Sequence, residues 1–319
     1  VFSIIIPLYN KAPYIAKAIQ SVAAQTFQEF ELIIIDDGSK DDSFAIAQLS
    51  LASLTPPLGG WVAVSQSNSG VSTTRNKGVS LAKYPYIAFL DADDWWEPTF
   101  LEEMKALIEE FPDAGIYGSS YYKVKDGKFI PARIGVDAGF TKGYIDYFKV
   151  YAKTMWMPLT SISVVVPKKI FNKFEGFKPH LKLGEDFDLW VRIALKYNVA
   201  LLNKPLSNYN QDVDVDQRGV VHNKIYEPTT HFIFNMDYLA VEELSNPNLK
   251  KTLDLQRTYT LMRYKRANAF PIEFKRELNK VDFKKQPLTI RLFYSTPSLL
   301  LNIYCEIIEL LVKIKRKFK

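Results

Sequence analysis

Four times in the first ninety residues, a short run of β-branched and aromatic side chains gives way to a stretch with apolar residues every third or fourth position. Residues 2–6 (FSIII) read as a buried strand closed by Pro7. Beyond Pro13, residues 14–24 place Ile15, Ile19 and Val22 on one face of a helix. The alternation repeats with strands over 30–35, 61–66 and 86–90 and helices over 43–51 and 72–82. Such a series predicts an α/β fold, a mostly parallel central sheet flanked by helices, with ligands gathered at the carboxyl ends of its strands. A helix is expected from Pro98 to about residue 111, a strand near 115–122, hairpins and loop over 123–143, a strand over 162–167 and a helix over 187–196. From about residue 226 the pattern turns helical, with no further clear strands. The chain therefore divides into an α/β domain over 1–220 and a helical C-terminal extension over 221–319.

The 319 residues are 47% hydrophobic and 24% charged, enough apolar material for a sizeable core and not a disordered composition. The formal net charge of +6 collects beyond residue 249, in Lys250-Lys251, Lys284-Lys285 and residues 313–319. Before that point acids and bases nearly balance, which argues against a nucleic-acid footprint over the main body. Cys305 is the only cysteine, so neither an intrachain disulfide nor a cysteine zinc site is expected, and a reducing, cytoplasmic setting fits. The sequence opens on a strand-like run without a signal-peptide pattern. It holds no run of about 20 apolar residues, so no conventional membrane span is expected.

Polar residues crowd the ends of the expected strands. Asp36-Asp37-Gly38-Ser39 follows Ile33-Ile34-Ile35 directly; its carboxylates can meet the donors of a nucleoside, and Gly38 permits a sharp turn. A turn with a helix cap at Ser39 or Asp41-Asp42 would use the same residues. Asp91-Ala92-Asp93-Asp94 ends the strand over 86–90. On an extended segment an i, i+2 pair points to one side, so Asp91 and Asp93 are expected to converge on one hard ion, Mg2+ or Mn2+, which also binds diphosphate oxygens. An acidic turn that caps the next helix is the competing reading. Residues 68–78 (NSGVSTTRNKG) offer Gly70 for close backbone approach and Arg75 for an anionic or base group, although a plain capped helix explains them too. Gly184-Glu185-Asp186 opens a helix whose dipole stabilises acids there, and one of the two is placed to act as a general base; capping accounts for them equally. Neither G-x-G-x-x-G nor G-x-x-x-x-G-K-[ST] occurs, which argues against a dinucleotide dehydrogenase and a P-loop NTPase.

In series, SIIIPLYN at 3–10, SVAAQTF at 21–27, DDGS at 36–39, residues 68–78, LDADD at 90–94 and GEDFDLW at 184–190 resemble the family 2 glycosyltransferases, inverting enzymes of the GT-A fold. The likeness spans roughly residues 1–215 and implies a nucleotide-binding half over 1–110 and an acceptor half over 111–220. It implies a nucleotide site of Pro7, Tyr9, Asp37, Asn68, Gly70, Arg75 and Asp91. There Tyr9 would flank a uracil-type base, Asp37 would bind its imide edge, Arg75 would lie near the nucleotide, and Asp91 would serve the ribose or the metal shell. Asp93 would be the principal ligand of Mn2+ or Mg2+, and Asp186, favoured over Glu185, the base. The implied reaction is inverting transfer from a nucleotide-diphosphate sugar, a UDP-sugar, to a hydroxyl of a saccharide or lipid-linked acceptor in surface polysaccharide synthesis. Where many relatives carry a Tyr-Arg-x-His-like stretch, this chain has Tyr209-Asn210-Gln211-Asp212. That leaves His222, preceded by Arg218, either as a substitute metal or phosphate contact or as an ordinary surface histidine.

Residues 298–319 are apolar over most of a helix, with a polar stripe of Asn302, Glu306, Glu309 and Lys313 and a basic end. Such a helix either lies in the interface on the inner face of the cell membrane, near a lipid-linked acceptor, or packs against protein. Two other functions share the early chemistry. A sugar-phosphate nucleotidyltransferase would carry a Gly-rich, basic loop after the first strand, where this chain has Leu8-Tyr9-Asn10-Lys11. A non-catalytic sugar-nucleotide binding protein would have no use for a base.

Overall fold

The structure, a computed structural model, describes residues 1–214 and 224–303. His222, Arg218, Cys305 and the tail beyond Ile303 lie outside the described residues. The chain divides into two compact units, Val1–Val221 and His222–Lys319.

The first unit begins β1 (Phe2–Leu8), α1 (Ile15–Ala23), β2 (Phe30–Asp36), α2 (Ser43–Ala52), β3 (Trp61–Ser65), α3 (Val71–Leu81) and β4 (Tyr86–Phe89). It continues β5 (Trp95–Trp96), α4 (Phe100–Glu110), β6 (Ala114–Lys125), β7 (Lys128–Pro131), β8 (Lys142–Ile145), α5 (Tyr147–Thr154), β9 (Val164–Pro167), α6 (Lys168–Lys173), α7 (Glu185–Ala194) and β10 (Asn198–Asn210). One sheet results, in the order β3-β2-β1-β4-β9-β6-β10-β5, with β7 beside β6 and β8 beside β10. β1 to β4 are parallel. β9 runs against both β4 and β6, which returns β6 and its parallel neighbour β10 to the direction of β1. The expected parallel core is present, and its carboxyl ends share one edge with those of β6 and β10.

Side-chain alternation explains how the layers close. Phe2, Ile4, Ile6 and Leu8 of β1 enter a core with Ile15, Ile19 and Val22 of α1 and Phe100, Met104 and Leu107 of α4. Ile5, on the opposite face, meets α3 at Gly78, where a Cβ would stand 2.4 Å from Ile5 Cγ2. Every residue of β2 is buried, including Glu31, which accepts from Ser3 Oγ at 2.6 Å. Beyond the sheet centre, Trp96 stacks on Phe100 at 4.2 Å between ring centroids and donates its indole N–H to the Ile162 carbonyl.

The helices α5 and α6 and the short strand β5 were not expected from the sequence, and two further departures bear on the site. β10 was not foreseen, because Lys204-Pro205 interrupts its apolar run. Its pairing with β6 survives through register shifts on either side of Pro205. The acidic segment is also not an extended strand end. It is a turn, in which the Asp94 amide donates to the Asp91 carbonyl at 3.0 Å.

The second unit is helical among its described residues: α8 (Ala240–Ser245), α9 (Pro247–Ala267), α10 (Pro271–Leu278) and α11 (Leu288–Ser295). Asn246 caps α9, its side chain accepting from the Asn248 and Leu249 amides. The buried Arg257 of α9 pairs with Glu243 of α8 and lies near Asp254 and Glu277, so the charge placed inside this unit is matched. Residues 298–303 are helical. No helix among the described residues is long and apolar enough to cross a membrane.

Candidate active site

β1 and β2 end side by side, Leu8 against Asp36, which brings the loop after β1 onto the loop after β2. Asn10 takes a left-handed conformation with φ 50°, its side chain accepts from the Lys40 amide at 2.8 Å, and its own amide donates to Ser39 Oγ. The Lys11 amide donates to Ser43 Oγ at 2.6 Å. Pro7 lies just inside this edge, opposite Ile35, and Tyr9 stands out of it with 40% of its surface exposed.

Asp37 is buried, and its carboxylate binds the protein first. It accepts from the Ser69 amide at 2.9 Å, the Gly70 amide at 2.8 Å, Gln66 Nε2 at 2.8 Å and the Ser69 hydroxyl. Burial would raise its pKa, but the bonds from Gln66, Ser69 and Gly70 together outweigh that and hold it below the usual carboxylate range. Asn68 completes the clasp by donating to the Asp37 carbonyl. Gly38 permits it, since φ is +73° and a Cβ would stand 3.1 Å from both the Asn68 amide and the Gln66 carbonyl.

Gly70, with φ 87°, starts α3 and turns the chain so that Arg75 points inward. Arg75, expected near the nucleotide, is 3% exposed. Nη1 donates to Glu185 Oε1 at 2.9 Å and Nη2 to Asp91 Oδ1 at 2.6 Å, with the Phe177 ring 5.3 Å away. Burial works against the guanidinium charge, but Asp91 and Glu185 overcome it and raise the Arg75 pKa. The acidic turn and the acid pair, remote in sequence, thus meet on one side chain.

The three carboxylates of the turn take separate partners. Asp91 goes to Arg75, Asp93 to Lys11 at 2.6 Å, and the buried Asp94 accepts from the Asn210 amide of β10 at 2.7 Å. Burial pushes Asp93 up, with Asp91 adding to it and Lys11 opposing it. Asp94 is pushed up further, by burial and then by the charges of Asp93 and Asp91. Crowded oxygen donors of this kind fit a hard divalent cation, which would relieve their repulsion. No group of three or more acidic, histidine or cysteine side chains among the described residues is arranged to hold a metal ion. One or two carboxylates supplemented by phosphate oxygens is the mode Mg2+ commonly adopts.

Gly184, left-handed at φ 80°, opens α7. Its first two residues differ sharply. Glu185 is held by Arg75, whereas Asp186 accepts from the Phe187 amide and has no ion-pair partner among the described residues. Burial, reinforced by Glu185 and opposed by Arg75, pushes the Asp186 carboxyl up to about 7. The phenols of Tyr121 and Tyr147 feel its charge, and both are raised, chiefly by burial. Asp188 belongs to the scaffold, since it binds Lys178 and Arg192. Sequence reasoning missed Lys11, Tyr121 and Tyr147. Lys11 sits two residues after Tyr9, and a lone base in a loop facing an acidic turn was a usable signal; the two tyrosines carry none.

An α/β sheet whose carboxyl edge combines clasped loops, an acidic turn and an acid-headed helix defines the GT-A class of transferase fold. The chain belongs to glycosyl transferase family 2, whose model matches residues 3–167. It is 34% identical over 207 residues to an uncharacterized glycosyltransferase of Rickettsia felis, covering 64% of this chain and 32% of that one. It is 27% identical to the amylovoran biosynthesis glycosyltransferase AmsB of Erwinia amylovora, over 66% of this chain and 69% of that one. The chain spans about a third of the length of the first curated relatives it matches. In fold it is similar to S. aureus TarS 1-349 in complex with UDP-GlcNAc, with TM-score 0.63, 20% identity, and coverage of 92% of this chain and 78% of that one.

Proposed function

We propose that this protein is an inverting glycosyltransferase that moves a sugar from a UDP-linked donor to a hydroxyl of a saccharide or lipid-linked acceptor, in surface polysaccharide synthesis. The observation that carries the reading is the Arg75 bridge. It ties the acidic turn to the acid pair and, by engaging Glu185, leaves Asp186 as the carboxylate with a pKa of about 7. The TarS structures with UDP-GlcNAc and UDP support a uridine donor, and AmsB supports a polysaccharide product.

In this reading Tyr9 flanks the base, and Asp37 holds the loop of Asn68 and Gly70 against it. Asp37 Oδ2, which accepts from the Gly70 amide, has capacity for a second donor such as the base's imide. A bound Mn2+ or Mg2+, held by Asp93 with Asp91 at its edge, would neutralise the departing diphosphate. Asp186 takes the proton of the acceptor hydroxyl, whose oxygen attacks the anomeric carbon on the face opposite the diphosphate. The carbon–oxygen bond to the diphosphate breaks, its electron pair leaves with the phosphate, and the configuration inverts. A nucleotidyltransferase is less well supported, because Leu8-Tyr9-Asn10-Lys11 is not a Gly-rich loop.

A panel of UDP-sugars, scored for thermal stabilisation and UDP release with Mn2+ or with EDTA, tests the proposal. One donor is expected to stabilise the protein and turn over only with metal. Asp93→Asn should lower that turnover by about a hundredfold or more. Unchanged turnover in the variant would remove Asp93 from the metal site.

A further inference from the structure

A strand at the edge of a sheet is a template for pairing with another chain, and proteins normally blunt it with shortness, lysine, proline or a bulge. Among the described residues β3, β5, β7 and β8 each have a single neighbour in the sheet. Three of them are guarded: β5 is two residues long, β7 carries Lys128 and Pro131, and β8 begins with Lys142. β3, Trp-Val-Ala-Val-Ser over 61–65, has no such device. Its register with β2 is unbroken, and its residue types favour strand pairing. None of its residues is buried, and Val62 is 40% exposed. Leu58, in the turn that leads into it, is 79% exposed.

The charge pattern says what fits this edge. The chain is 24% charged, yet residues 43–74, which hold α2, β3 and the start of α3, contain no Asp, Glu, Lys, Arg or His. A neutral edge offers no salt bridge to a charged partner. Two copies of β3 laid antiparallel about a twofold axis put neutral side chains opposite one another in any register, with no like-charge contact. Each also satisfies the backbone groups on the side of β3 that faces away from β2. We propose that β3 is a self-association edge, where a second copy of this chain continues the sheet through Trp61–Ser65 and covers Leu58 and Val62.

Sedimentation equilibrium of the full chain, loaded at up to about 100 µM so that even a micromolar dimer is populated, is the first test. The expected mass is twice the 36.6 kDa of one chain. The amides of residues 61–65 should exchange with solvent more slowly as concentration rises. Val62→Lys and Leu58→Lys each bring an ammonium from both copies to the seam and should weaken the dimer by about tenfold or more. Leu288→Lys, at an exposed position of α11 in the second unit, should leave it intact. Leu58 is exposed enough for its replacement to spare the fold, and circular dichroism and thermal melting check each variant. A monomer at every concentration overturns the proposal, as does a dimer that withstands both edge variants or is dissociated by Leu288→Lys.

Discussion

Glu185 and Asp186 are adjacent in sequence, yet the fold pairs one with a guanidinium and buries the other beside the charges of Glu185, Arg75 and Asp91. For a base the deprotonated form is active, so kcat/KM for transfer should rise with pH through about 7 and then level. Asp186→Asn should lose about 10² to 10⁴ of that rate while keeping UDP binding, and full activity would shift the role to Glu185. Stability carries the opposite sign. The folded-state pKa lies above the unfolded value of about 4, so the folded protein retains a proton that the unfolded chain releases. Stability is therefore lost as pH climbs toward about 7, and Asp186→Asn should melt at a higher temperature than wild type at pH 8. The residue types at this site were legible in the sequence; their partners were not. Arg75 and Asp37 were placed near a nucleotide, but nothing in their spacing showed that one bridges two acids and the other first clasps a loop.

At the scale of elements, α3 is seated by a close contact. Alanine is favoured over glycine inside a helix by about 1 kcal/mol, yet a Cβ at position 78 would overlap Ile5 of β1. Gly78→Ala is therefore expected to destabilise the protein by about 1–3 kcal/mol in urea denaturation, and a neutral result would mean that α3 can lift off the sheet. Arg75 precedes Gly78 by one helical turn, so such a lift would also disturb its bridge. The strands β1 to β4 and helices α1 to α3 were readable because each buries one face or two against a sheet of regular spacing. β10 was not, since Lys204-Pro205 breaks the local pattern and only the neighbouring β6 carries the strand through. The acidic segment failed for a related reason: alternation orients side chains on a strand, and this stretch is a turn.

For the whole molecule, the basic, apolar stretch over 298–319 has two readings, a helix lying on a membrane surface or one packed against protein, and the first makes a direct prediction. Flotation with liposomes containing anionic lipid should recover the full chain, and removing residues 298–319 should abolish it; equal flotation would exclude the tail as the contact. Taken by itself, the sequence determined the alternating α/β core, the helical character of the C-terminal region and the families of polar residues at the strand ends. Those depend on periodicity and on local turn chemistry, which neighbouring residues dictate. Tertiary structure alone decided which charges meet. Arg75 between Asp91 and Glu185, Lys11 on Asp93, and Asn210 on Asp94 are contacts between segments far apart along the chain. Electrostatic energy depends on separation in space and on burial, and neither is encoded in spacing along the chain.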